Sequence, residues 1–93
     1  MERYNGIVKW FSKAKGYGFI FFDTATVAPE APSYVKDMAT GKTKVKVYDG
    51  IAQVMVHITE TEGMKPLSEN EPVSFVFKKG IHGALTSDVR VEK

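Results

Sequence analysis

One stretch of twelve residues carries a pattern that could bind a ligand. Lys9 to Ile20 interleaves three lysines with a tryptophan, a tyrosine and two phenylalanines, and glycines flank the tyrosine. An ordinary strand hides its aromatic rings, and a solvated basic segment has few of them. Cations among rings suit a flexible polyanion with flat π-faces, because lysines neutralise phosphates while rings stack on bases. The pattern therefore predicts binding of single-stranded nucleic acid.

Two predicted strands hold these rings. Tyr4 to Phe11 and Tyr17 to Phe22 are rich in aromatic and β-branched residues. Successive side chains of a strand alternate between its faces, so Tyr17 and Phe19 share one face. In a small barrel Ile20 would point inward while Tyr17 and Phe19 would point out to a ligand. The alternative is a sandwich strand that is buried on both faces.

Trp10 and Phe11 are adjacent, and strict alternation would send them to opposite faces. Both could meet a ligand only if the strand ended or bulged there. We predict that Trp10 stacks on a base, since a large amphipathic ring lies beside Lys9. Two interpretations of Phe11 stay open at this point, namely packing in the core and contact with the ligand.

Positive charge is concentrated with the rings. The chain has a net charge of +2, and residues 1–22 hold four cations against one acid. Residues 23–50 are neutral in sum, and the remainder is slightly acidic. Lys9, Lys13 and Lys15 are therefore the predicted phosphate contacts. From charge alone, an ordinary solvated face is an equally good interpretation.

The same segments resemble a known family. Gly6 to Phe11 and then Lys15 to Ile20 resemble the start of a cold-shock domain, the latter being similar to its first ribonucleoprotein motif. Val54 to His57 resembles the second motif, with Met55 where the family usually has phenylalanine. Gly80 to Val91 is similar to the family's last hairpin and strand. The resemblance implies a small OB-type barrel that binds single-stranded RNA or DNA, in a chaperone or packaging role.

Further contacts follow from this resemblance. Met55 and Ile58 stand at ring positions of the family, and Met64 lies where a family loop carries another aromatic contact. His57 shares the predicted face of the rings and either contacts a base or is structural. His82 stands in the last hairpin, where it either touches the nucleic-acid backbone or has no role. The predicted nucleic-acid-binding residues are Lys9, Trp10, Phe11, Lys13, Lys15, Tyr17, Phe19, Met55, His57, Ile58, Met64 and His82.

The predicted fold is all-β, a single domain of residues 1–93. Five short strands with turn signals and no long helix favour an OB-type barrel. The resemblance implies that this barrel is cold-shock-like, with an inserted loop or β-hairpin between strands 2 and 3. The predicted barrel strands are Tyr4 to Phe11, Tyr17 to Phe22, Ile51 to Ile58, Pro72 to Lys79 and Ala84 to Glu92. We expect Val54, Val56 and Ile58 to face the core.

The insertion, about Asp23 to Ile51, is the main departure from the family. Tyr34 to Ala39 could form a short helical turn. Thr43 to Tyr48 alternates, and Asp49-Gly50 follows as a hairpin signal. We predict that Thr43 to Tyr48 pairs antiparallel with Ile51 to Val56. That hairpin either lengthens the nucleic-acid groove, meets a protein partner or a second copy, or is a solvated edge.

Several function classes fit the sequence poorly. There is no cysteine, and no apolar run approaches the roughly 20 residues of a membrane span. The first residues show no signal-peptide pattern, so we expect a soluble, cytoplasmic chain. Ser, His and acidic residues form no recognisable catalytic or metal-binding pattern, which predicts neither enzyme activity nor a cofactor. The alternative function is a protein-interaction module or homodimer that uses the inserted hairpin.

Overall fold

Six strands form an antiparallel sheet in the computed structural model, which describes residues 3–40, 46–80 and 83–92. The strands run β3-β4-β2-β1-β5-β6 across the sheet. Their bounds are Tyr4–Ser12 (β1), Tyr17–Asp23 (β2), Lys46–Tyr48 (β3), Ile51–His57 (β4), Pro72–Gly80 (β5) and Gly83–Val91 (β6). The all-β class is confirmed. The count differs from the predicted five because β3 hydrogen-bonds to β4 and so joins the sheet.

The sheet curls so that β6 approaches β4, although the two are not neighbours in the strand order. The Thr86 hydroxyl donates a hydrogen bond to the Met55 carbonyl at 2.8 Å. Thr61, which follows β4, makes an isolated parallel bridge with Val89 of β6. This curvature is consistent with an OB-type fold.

An aromatic cluster fills the interior. The rings of Tyr4, Phe22, Phe75 and Phe77 all lie within 5.0–6.3 Å of one another, measured between centroids. Phe75 is fully buried at its centre. Ile20 is also buried, so the inward face predicted for the second strand is confirmed.

The segment between β2 and β3 contributes to this core. It contains a 3₁₀ turn, Thr24–Thr26, and a helix, α1, Ser33–Ala39. The predicted helical turn is therefore confirmed and starts one residue earlier. Val35 and Met38 of α1 are buried in the core cluster, and the helix packs against β6. In the residues that the structure describes, no helix combines the length and the apolar character that crossing a membrane requires.

The predicted hairpin is confirmed for the part that is described. β3 pairs antiparallel with the start of β4, from Lys46 opposite Gln53 to Tyr48 opposite Ile51. Residues 43–45, where the prediction places the rest of this arm, lie outside the described residues.

Candidate nucleic-acid interface

Three rings meet on the outer face of β1 and β2. Trp10 lies opposite Phe19, and Tyr17 lies two residues earlier on the same strand face. Their ring centroids are 5.4 Å apart for Trp10–Phe19, 5.8 Å for Trp10–Tyr17 and 6.4 Å for Tyr17–Phe19. All three are half-buried, so part of each ring reaches solvent. We call these three residues the aromatic platform.

A bulge in β1 brings Trp10 onto the platform. The pairing of β1 with β2 shifts register between Val8 and Trp10, which leaves Lys9 as the extra residue. Val8 is buried, whereas Lys9 is exposed. The bulge keeps Lys9 and Trp10 on the outer side and turns Phe11 inward, where its side chain packs against the core. Of the two interpretations of Phe11, the structure therefore favours packing over contact with a ligand.

Gly18 allows the two strands to approach at this point. Phe11 lies directly opposite Gly18 in the sheet. A Cβ atom on Gly18 would lie 2.2 Å from the Trp10 carbonyl oxygen and 2.7 Å from the Phe11 Cα atom. Both neighbours are backbone atoms that cannot move aside without separating the strands.

We expect Gly18→Ala to lower the free energy of unfolding by about 1–3 kcal/mol, the usual cost of overpacking. The clash is with backbone, so the strands must separate where Trp10 faces Phe19. Urea denaturation followed by far-UV circular dichroism would measure the loss. An unchanged midpoint would contradict this account of the close approach.

β4 extends the outer face on the other side of β2. His57 pairs with Tyr17, and Met55 pairs with Phe19. Met55 is 42% exposed, which is high for a large apolar side chain in a sheet. The Nδ1 atom of His57 accepts the backbone N–H of Thr59 at 3.2 Å and lies 2.9 Å from the Thr59 hydroxyl. This contact holds the imidazole beside the platform.

The other predicted residues are distributed around this face. Lys13 and Lys15 are exposed in the β1–β2 turn. Ile58 lies in a 3₁₀ turn, so β4 ends one residue earlier than predicted. The side chain of Ile58, predicted to face the core, is only half-buried. Its N–H donates to the Gly16 carbonyl at 2.8 Å, which docks it against that turn. Met64 is 59% exposed in the next turn, and His82 lies outside the described residues.

Lysine charges near the platform differ in their surroundings. Lys78 is ion-paired with Glu60, whose other carboxylate oxygen accepts a hydrogen bond from the Ser87 hydroxyl. The hydrogen bond from Lys78 is the main cause that lowers the pKa of Glu60. The positive charge of Lys78 is therefore compensated by the negative charge of Glu60. Lys9 instead lies with its Nζ atom 5.6 Å from the centroid of the Phe21 ring, a cation–π distance.

Comparison with known proteins reveals relatives along most of the chain, although the chain matches no family model. It is 34% identical over 87 residues to the probable cold shock protein A of Mycolicibacterium smegmatis, covering 91% of this chain and 92% of that protein. The cold shock-like protein CspE of Escherichia coli is 31% identical over 91 residues, with 96% of each chain covered. CspA of Bordetella pertussis is 32% identical over 88 residues, with 92% of this chain and 94% of that protein covered.

The chain belongs to the cold-shock protein family. The resemblance that the sequence predicts is thus confirmed. In this family member the two motif segments are neighbouring strands, because β2 carries the first motif and β4 the second. Among the described residues, no group of three or more His, Asp or Glu side chains is arranged to hold a metal ion.

The outer face of this cold-shock protein also holds a ring that the predicted set omits. Phe21 lies opposite Ile7 and Gln53 and is half-buried. The signal was present in the sequence, since alternation already puts Phe21 on the face of Tyr17 and Phe19. Its partner Ile7 is exposed on β1. The outer face is therefore longer than the platform.

Proposed function

We propose that this cold-shock family protein binds single-stranded RNA or DNA with little sequence preference and acts as a nucleic-acid chaperone. The observation that carries the proposal is the gathering of three partly exposed rings beside exposed lysines. Stacking favours any base because every base has a π-face, so this chemistry discriminates weakly between sequences. The relatives, which are cold shock proteins by name, support the same role.

Each part of the face has a proposed task. The platform stacks bases, while Lys9, Lys13 and Lys15 neutralise phosphates. Met55 covers a base as an apolar surface that stacks less well than a phenyl ring. His57 stacks on a base or hydrogen-bonds to its edge. Ile58, Met64 and His82 remain predicted contacts. None of these tasks needs a cofactor or a catalytic group.

We further propose that the fold is an OB-type barrel with an added segment. β1, β2, β4, β5 and β6 would correspond to the five strands of an OB-type barrel, and residues 23–51 would be the insertion. The hydrogen bond between Thr86 and Met55 supports barrel closure. The burial of Val35 and Met38 of α1 supports the proposal that the insertion is an integral part of the domain.

Trp10 provides the direct test, since it is the only tryptophan of the chain. Titration with RNA and DNA homopolymers at two salt concentrations should quench or shift its fluorescence, because a stacked base changes the environment of the indole. Comparing the polymers would also reveal a preference for RNA or DNA. A folded protein whose fluorescence and mobility no oligonucleotide changes would refute the proposal.

We expect Lys15→Gln to reduce the dependence of log K on log salt by about 0.7, the value for one phosphate contact with a single strand. Lys36→Gln is the matched control. It removes the same charge from α1, which packs against β6, a strand that carries no platform residue. Titrations at several salt concentrations would provide both slopes. Equal slopes for wild type and Lys15→Gln would remove Lys15 from the phosphate contacts.

A second candidate function is self-association or binding of a protein partner through the hairpin. β3 lies at the edge of the sheet, and an edge strand can pair with another chain. Sedimentation at increasing protein concentration tests self-association. A monomer at every concentration would argue against the homodimer.

A further inference from the structure

The outer face of the sheet continues from the aromatic platform toward the inserted hairpin. Phe21 follows Phe19 by two residues on β2 and therefore lies on the same face. It pairs with Gln53 of β4, and the Lys9 Nζ atom lies 5.6 Å from its ring centroid. Phe21 thus connects the platform with the residues beyond it.

Two exposed apolar residues come next in register. Ile51 of β4 pairs with Asp23 on one side and with Tyr48 of β3 on the other. Ile51 is 39% exposed and Tyr48 is 73% exposed. Phe21 is the diagonal neighbour of Ile51, at a separation that large side chains can bridge. We call Phe21, Ile51 and Tyr48 the hairpin subsite.

The hairpin holds Tyr48 in a defined place. Asp49 and Gly50 both have positive φ, 50° and 77°, as a two-residue type I′ turn requires. The Gly50 carbonyl accepts hydrogen bonds from the N–H and the hydroxyl of Thr24, both at 2.8 Å. Val47, the preceding residue of β3, packs against the core. The exposed ring is therefore carried by an anchored turn, so a ligand would not have to order that turn first.

We infer that the hairpin subsite binds an additional base of the same single strand that lies on the aromatic platform, with Tyr48 as the stacking ring. The inference rests on the proposed function. Continuity of the sheet face and the cation of Lys9 beside Phe21 favour a nucleic-acid strand over a protein partner at this position. Tyrosine suits the task because its ring stacks while its hydroxyl stays in water.

Two acidic residues lie beside the hairpin subsite. Asp23 and Asp49 are the acidic residues beside Tyr48 and Ile51, and both are exposed. The Asp23 carboxylate accepts the N–H of Ala25 at 2.9 Å, so it caps the turn that follows β2. Carboxylates do not neutralise phosphates. Tyr48 offers a ring and not a cation, so the affinity that it adds by stacking is expected to depend little on salt.

The test uses oligothymidylates whose lengths span the about 4–16 nucleotides that OB domains occupy. Anisotropy of a labelled oligonucleotide would measure affinity at each length for wild type, Tyr48→Ala and Tyr48→Phe. Tyr48→Ala should bind the shortest oligonucleotides like wild type and lose at least about fivefold in affinity for the longer ones. Tyr48→Phe keeps the ring and should behave like wild type. The loss should persist at higher salt.

Identical length dependence for wild type and Tyr48→Ala would overturn the inference and leave the platform proposal intact. A wild-type protein that binds neither these oligonucleotides nor oligouridylates of the same lengths would overturn the proposed function and the inference together. A difference that disappears at higher salt would refute the stacking role. If Tyr48→Ala binds every length normally but no longer self-associates, the ring belongs to a protein interface and the inference is wrong.

Discussion

Replacing Phe19 with alanine is expected to weaken the binding of short oligonucleotides by about 5- to 150-fold, which corresponds to the roughly 1–3 kcal/mol of one stacked base. Phe19 occupies the centre of the face. It lies between Trp10 on β1 and Met55 on β4, and its ring contacts both other platform rings. Its removal therefore takes away one stacking surface and the support of two others.

Anisotropy of a labelled oligonucleotide is the appropriate measurement for Phe19→Ala, because the substitution also changes the environment of Trp10. Val91→Ala is a matched control, since Val91 is an exposed apolar residue at the end of β6, away from the platform strands. The control should bind like wild type. If Phe19→Ala also binds with wild-type affinity while remaining folded, the platform is not the binding surface.

Replacing Phe75 with alanine is expected to lower the free energy of unfolding by about 3–5 kcal/mol, the usual cost of removing a fully buried ring. Phe75 contacts Tyr4, Phe22 and Phe77, so the vacated space is surrounded by rings on several strands. A domain of this size has a total stability on the order of 5–15 kcal/mol. The loss is therefore a large fraction of the total, and Phe75→Ala is expected to unfold at a much lower urea concentration than wild type.

Urea denaturation would measure the effect of Phe75→Ala, with Phe19→Ala as a matched comparison. Both variants lose the same phenyl ring, one from the core and one from the half-buried outer face. Phe19→Ala should cost distinctly less stability, while Phe75→Ala should retain oligonucleotide affinity in its folded fraction. A loss for Phe75→Ala within about 0.5 kcal/mol, as for ordinary surface substitutions, would mean that the core is not organised around this ring.

Much of the fold can be predicted because strand patterning is local. Alternation along Tyr17 to Asp23 assigns each side chain to a face without any knowledge of neighbouring strands. Asp49-Gly50 predicts a type I′ turn because both residues tolerate positive φ more readily than most. The family resemblance lies in the same local segments, and the relatives confirm it. The candidate rings and lysines could be identified from local sequence patterns in the same way.

Other features of the face depend on non-local pairing. The bulge at Lys9 exists only in relation to β2, and it determines that Trp10 faces outward while Phe11 packs inward. The end of β4 at His57 is likewise determined by its contacts, since Ile58 is held by the Gly16 carbonyl. No local pattern distinguishes these outcomes from a regular strand that continues.

By itself, the sequence determined the all-β class, the two faces of β2, the hairpin turn and the family, because these follow from the order and type of neighbouring residues. Only the tertiary structure decided that Val35 and Met38 of α1 enter the core, and that Tyr48 joins the outer face beyond Phe21. Both outcomes require distant segments to meet. Hydrogen bonds and buried contacts between those segments determine which of them pack together, and no short stretch of sequence specifies such long-range contacts.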